Sequence, residues 1–110
     1  MKDTDLIDTL ESKEKLERGD GFKVGMTLGE WEYRTTHIPG SMRMSTVKEA
    51  LEALDPEDEI VLYDSGPSCP ASRLAFRVLK DHGYERVRRY AGGLEAWATA
   101  GYPLEGESVE

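Results

Sequence analysis

Four consecutive apolar residues, Ile60-Val61-Leu62-Tyr63, constrain this chain more than any other stretch in it. They lie between the turn Asp55-Pro56-Glu57-Asp58 and a loop bearing Gly66, Pro67 and Pro70. An alternating strand leaves one face wet, whereas a continuous run needs cover on both faces, as the central strand of a parallel sheet has. The neighbouring segments can supply it. Thr46 caps a helix with Val47, Ala50, Leu51 and Leu54 on one stripe, and a second helix carries Leu74, Ala75, Val78 and Leu79 before ending at Gly83. Further strands are predicted at residues 22–26, 41–44 and 86–90, with a short one at Leu10. Further helices are predicted from Ser12 to the stop at Gly19, over residues 30–36, and from Gly92-Gly93 to Gly101. The 86–90 strand alternates with polar residues, which places it toward an edge. This alternation of strands and helices predicts an α/β layered domain.

With 110 residues the chain is expected to form one domain, 1–110, with its core at about 10–103 and flexible termini, residues 105–110 frayed. Lys and Arg number 14 against 22 Asp and Glu, a net charge of −8. Such a surface repels phosphate backbones and anionic lipid, so nucleic acid and membrane are poor partners. The cluster Arg86, Arg88 and Arg89 is too short to reverse that. No apolar run approaches the roughly 20 residues of a membrane span. The first residues lack the apolar stretch of a secretory signal, so a cytoplasmic location is expected. A single cysteine, Cys69, forbids an internal disulfide and a multi-cysteine zinc site. It is either a buried small apolar side chain or a reactive thiol.

Chemistry is expected in the loop that follows the central strand, because open parallel sheets bind ligands where strand ends enter helices. Pro70 suits the first position of a helix, which would make Cys69 its N-cap. Unpaired first-turn amides and the helix dipole stabilise negative charge and favour thiolate, the nucleophilic form. Arg73 adds a positive charge, Ser65, Ser68 and Ser72 add donors, and Gly66 lets backbone approach an anion closely. The segment Ser65, Gly66, Pro67, Ser68, Pro70, Ala71, Ser72, Arg73 thus reads as an anion-binding loop around Cys69. The plainer alternative is a capping turn whose cysteine only packs.

The chain also resembles a known family. His37-Ile38-Pro39-Gly40-Ser41, then Ile60-Val61-Leu62-Tyr63, Gly83-Tyr84, Tyr90-Ala91-Gly92-Gly93-Leu94-Glu95-Ala96-Trp97 and Gly101-Tyr102-Pro103 resemble the rhodanese-like domain in order and spacing. The resemblance runs from about Leu10 to Pro103. It implies a single α/β domain around a five-stranded, mainly parallel sheet flanked by helices. It also implies sulfur transfer through a cysteine persulfide held by amides of the loop after the central strand. In most active members the residue directly after that strand is the catalytic cysteine; Asp64 stands there instead, in a loop about two residues longer than usual. The loop is more similar to a variant with two cysteines five apart and a serine three further on, onto which Asp64, Cys69 and Ser72 map. Met26 and Leu28 stand where the family often has Asp and Arg.

These features lead to two expectations. In the first, the protein is a sulfurtransferase moving sulfane sulfur from thiosulfate or a persulfide-carrying protein through a Cys69 persulfide, with no cofactor or metal. In the second, it is a weak or inactive binding or regulatory module, because Asp64 accepts the loop amides and fills the cradle. Asp64 could also face away and cap the strand end. Persulfide chemistry at position 64 itself is excluded in every case. Cys69-Pro70-Ala71-Ser72 has the Cys-x-x-Ser form of redox motifs, but it lies past the middle of the chain, and Cys69 to Arg73 is too short for a cysteine phosphatase loop. His37 and His82 are expected to bond local backbone or offset a helix dipole, and Trp31, Trp97, Tyr33 and Tyr90 to pack in the core and its rim.

Overall fold

Strand β3 (Ile60–Tyr63) runs through the middle of a parallel sheet in the computed structural model, which describes residues 2–19 and 21–109. Its companions are β1 (Lys23–Met26), β2 (Ser41–Arg43) and β4 (Val87–Tyr90), in the order β2-β1-β3-β4. All four residues of β3 are buried, as a run without polar interruptions requires. Parity then sorts the core. Ile60 and Leu62 pack with Ala50, Leu54, Phe76 and Leu79 from α3 (Val47–Ala53) and α4 (Ala71–Asp81) and the residue after α3. Val61 and Tyr63 pack on the opposite face with Ile38, Tyr90 and Trp97. That face is covered by α1 (Thr9–Arg18), α2 (Glu30–Thr35) and α5 (Gly93–Thr99), through Leu16, Tyr33 and Trp97.

The expected five-stranded sheet is corrected to four strands. A strand at Leu10 does not form, because Leu10 lies inside α1 and is exposed. Asp8 caps that helix by accepting the Glu11 N–H at 2.8 Å, so the start falls earlier than Ser12 predicts. Ser12 is buried and donates its hydroxyl to the Asp8 carbonyl. Beyond β4 a single parallel bridge joins Leu6 to Arg89.

Thr46 does cap α3, accepting the Glu49 N–H. The apolar stripes of α3 and α4 are not wholly buried, however. Val47 and Leu74 are exposed and border an open groove of about 260 Å³ between the two helices, with Met44 and Val78 also lining it. Trp31, expected in the core or its rim, is 72% exposed. Part of the tail expected to fray makes backbone hydrogen bonds in the structure. Glu105 forms a bridge with His37, and Glu107 and Ser108 donate their amides to the carbonyls of Arg34 and Thr35. Gly25, unusual inside a strand, has a packing reason: a Cβ there would lie 2.3 Å from the Met44 sulfur.

Candidate functional site

The side chain of Asp64 inherits the parity of β3. One residue beyond Tyr63, it turns onto the face of Ile60 and Leu62, beneath the start of α4, and is fully buried. A buried carboxylate needs hydrogen-bond donors. Oδ1 accepts the Gly66 N–H at 3.1 Å, and Oδ2 accepts both the N–H and the hydroxyl of Ser72 at 2.8 Å. Asp64 therefore caps α4 from across the loop, and the Pro70 position makes no side-chain cap.

A second charge stands behind Ser72. Arg89 Nε donates to the Ser72 hydroxyl oxygen at 2.7 Å, and Nη2 donates to the Cys69 carbonyl at 3.3 Å. Arg89 is only 4% exposed. The hydroxyl of Ser72 thus links a cation to an anion, accepting from one and donating to the other, an arrangement in which each bond is charge-assisted. Sequence reasoning missed Arg89 by grouping it with Arg86 and Arg88. The structure separates the three: Arg86 is exposed, Arg88 pairs with Glu11, and Arg89 points inward. The signal was its parity with Val87, since residues two apart on a strand share a face.

Cys69 is half-buried and its amide donates to the Gly66 carbonyl, closing a turn. It is not the N-cap residue, because α4 begins at Ala71 with Pro70 in the cap position. The amides read from sequence as a cradle for an external anion are in part already engaged: Gly66 and Ser72 donate to Asp64, Cys69 donates to Gly66, and Pro67 and Pro70 have no N–H to offer. Ser65, Pro67, Ser68 and Pro70 are exposed on the loop, and Ala71 is half-buried. Arg73, expected beside the thiol, is exposed and lines a groove with Phe76, Arg77 and Arg89. The cation that contacts the loop is Arg89.

The loop also rests on the start of α5. Leu94 and Glu95 donate their amides to the carbonyls of Asp64 and Ser65 at 3.0 and 2.9 Å. Gly93 has φ +59°, and a Cβ there would lie 2.4 Å from the Asp64 carbonyl oxygen. Only glycine allows that approach.

Elsewhere the histidines serve local structure. His37 stacks on Tyr33 with its Nδ1 at the Tyr33 carbonyl, and His82 Nδ1 lies 2.8 Å from the Val78 carbonyl. Among the described residues no group of His, Cys, Asp and Glu is arranged to hold a metal ion. Nor is any described helix long and apolar enough to cross a membrane.

Comparison with known proteins agrees with this architecture. Residues 2–100 match the Rhodanese-like domain family. The chain is similar to the HTH-type transcriptional regulator Rv0324 of Mycobacterium tuberculosis, with 31% identity over 103 residues, 92% of this chain but 45% of that protein. It thus spans under half the length of that curated relative. It is similar to the solution structure of the rhodanese-like domain of the Anabaena protein Alr3790, with a TM-score of 0.82 and 28% identity over 98% of this chain and 82% of that one. The BH2092 protein of Bacillus halodurans shares the fold, with a TM-score of 0.85 at 23% identity, covering 94% of this chain and 77% of that one. Strand order, loop position and sequence match lead to one conclusion: the chain belongs to the rhodanese-like domain family.

Proposed function

We propose that this domain is a cytoplasmic binding or regulatory member of its family, a variant with an extended loop in which Asp64 stands at the position of the usual nucleophile and fills the anion cradle. The observation that carries this reading is the buried Asp64 carboxylate with three hydrogen bonds from Gly66 and Ser72. A sulfur anion entering the same space would have to displace a charge already neutralised by two amides and a hydroxyl, and would be repelled by it. Position 64 also lacks a sulfur atom. The regulator from Mycobacterium tuberculosis, in which the matched region is part of a longer protein, supports a regulatory role.

Sulfur transfer through Cys69 is the second reading, favoured by the partial exposure of the thiol and the Arg89 anchor on its carbonyl. In it the Cys69 thiolate attacks the outer sulfur of thiosulfate. A new S–S bond forms as the original one breaks, and sulfite leaves with the electron pair. Cyanide or another thiophile then takes the outer sulfur and restores the thiolate. The loop residues Ser65, Gly66, Ser68, Ala71 and Ser72 would surround the persulfide. The partner is then a small sulfur anion or a persulfide-carrying protein, not nucleic acid or membrane.

Mass spectrometry of the thiosulfate-treated protein decides between them. The binding module gains no sulfur and yields no thiocyanate, whereas Asp64→Cys gains one cyanide-labile sulfur at position 64. A cyanide-labile sulfur on Cys69 of the natural chain would replace the first reading by the second.

A further inference from the structure

A second region of the molecule concentrates positive charge in a chain whose net charge is −8. Along α4 runs a groove of about 530 Å³ lined by Arg73, Arg77, Lys80 and Arg89 over Leu6 and Phe76, with Asp81 the only acidic residue among the described residues that line it. The helix builds it. Residues 73, 77 and 80 stand four and three apart on one stripe, and their Cα atoms climb about 6 Å and then about 4.5 Å along the axis. Arg73 and Arg77 are exposed and make no ion pair or hydrogen bond with any described residue. Lys80 Nζ is held by the Glu85 carbonyl and lies over the Phe76 ring.

Arg89 forms the inner wall and is the unusual member. It is 4% exposed, yet no described carboxylate pairs with it directly; Asp64 reaches it only through Ser72. Its Nε and Nη2 donate to Ser72 and to the Cys69 carbonyl, while Nη1 has no acceptor among the described residues, and the residue lines the groove. A buried guanidinium without a direct counter-ion is costly. An anion at the groove floor would meet Nη1 of Arg89 and, from the rim, two guanidinium forks suited to bidentate contact with oxyanions.

We infer that the groove is a binding site for a small polyvalent phosphate-type oxyanion, free or carried on a small organic molecule, gripped by Arg73, Arg77 and Arg89. The volume suits a small molecule, not a macromolecular surface. The overall negative charge disfavours a nucleic-acid backbone. No residue from 64 to 72 lines the groove, but Arg89 is shared, since it also donates to Ser72 and to the Cys69 carbonyl; the anion site does not require that loop to transfer sulfur.

An NMR titration with inorganic pyrophosphate, with phenyl phosphate against inorganic phosphate as a second pair of probes, tests it at low salt. Saturable shifts confined to residues 73–81 and 89 are expected, and binding should weaken with added salt. R73A/R77A, whose side chains are exposed, should weaken it at least about tenfold, and R77E alone should do likewise. The control R34A/R86A should change it less than about twofold, since neither residue lines the groove. Tighter binding of phenyl phosphate than of inorganic phosphate identifies an organic phosphate as the ligand, and equal binding identifies the free anion. The inference is overturned by absence of saturable shifts or by shifts centred on residues 64–69. It is equally overturned by unchanged affinity in both groove variants, or by duplex DNA outcompeting pyrophosphate.

Discussion

Tyr63 and Asp64 are adjacent in the chain and fasten opposite faces of the sheet by opposite means. The Tyr63 hydroxyl accepts the Ile38 N–H at 2.9 Å and lies 2.8 Å from Ser41 Oγ, whose own proton goes to the Ile38 carbonyl. That knot is neutral, closes on itself and holds the turn before β2. The Asp64 knot is charged at both ends, with Ser72 between carboxylate and guanidinium. Neutral groups can be sealed once each donor has an acceptor, whereas charges keep a need for further polar neighbours. The first knot is accordingly pure fastening. The second leaves Arg89 facing a groove and Cys69 at the surface of its loop.

Breaking the charged knot should cost more than breaking the neutral one. Asp64→Ala strands Arg89 and the Ser72 and Gly66 amides, and urea denaturation should show a loss of about 3–5 kcal/mol. A loss under about 1 kcal/mol would mean the carboxylate does not hold the loop. Tyr63→Phe should cost about 1–3 kcal/mol, the penalty for unpairing Ile38 N–H and Ser41.

The same tyrosine gives the comparison a pH axis. Burial pushes the Tyr63 hydroxyl up to about 12, against about 10 for an unfolded tyrosine. Between those values the unfolded chain has lost the proton and the folded one keeps it, so stability is intact below pH 10 and falls as pH rises toward 12. Thermal melts across that range should show the decline, and Tyr63→Phe should lessen it, leaving the part due to Tyr90, whose hydroxyl burial also pushes up.

The smallest effect is expected at the surface. Hydrogen bonding to Arg88 holds the Glu11 carboxyl below its usual range, so this contribution is present at neutral pH and fades in acid. The glutamate is 46% exposed, and Glu11→Gln should cost less than about 1 kcal/mol. A cost rivalling that of Asp64→Ala would remove the distinction between buried and exposed charge.

The elements that were legible in the sequence have side-chain patterns that only one structure satisfies. Ile60–Tyr63 needs two covered faces, and Thr46 followed by Glu49 marks a helix start. Those that were not legible depend on backbone or on competition between similar signals. The tail after Pro103 docks through amide and carbonyl groups that any sequence carries. Asp8 and Ser12 are both good caps; Asp8 takes the role and Ser12 lies buried inside the helix. At the site, the motif located the loop and the carboxylate at its start, and filling of the cradle by Asp64 was among the sequence's alternatives. Arg89 was hidden because an arginine beside two others looks like surface, and only its shared face with Val87 argues otherwise.

Gly93 carries a mechanical implication. The α5 backbone is pressed against residues 64–66, and two of its amides are hooked onto the carbonyls of Asp64 and Ser65. A side chain at position 93 would have to part the helix from the loop that holds Asp64.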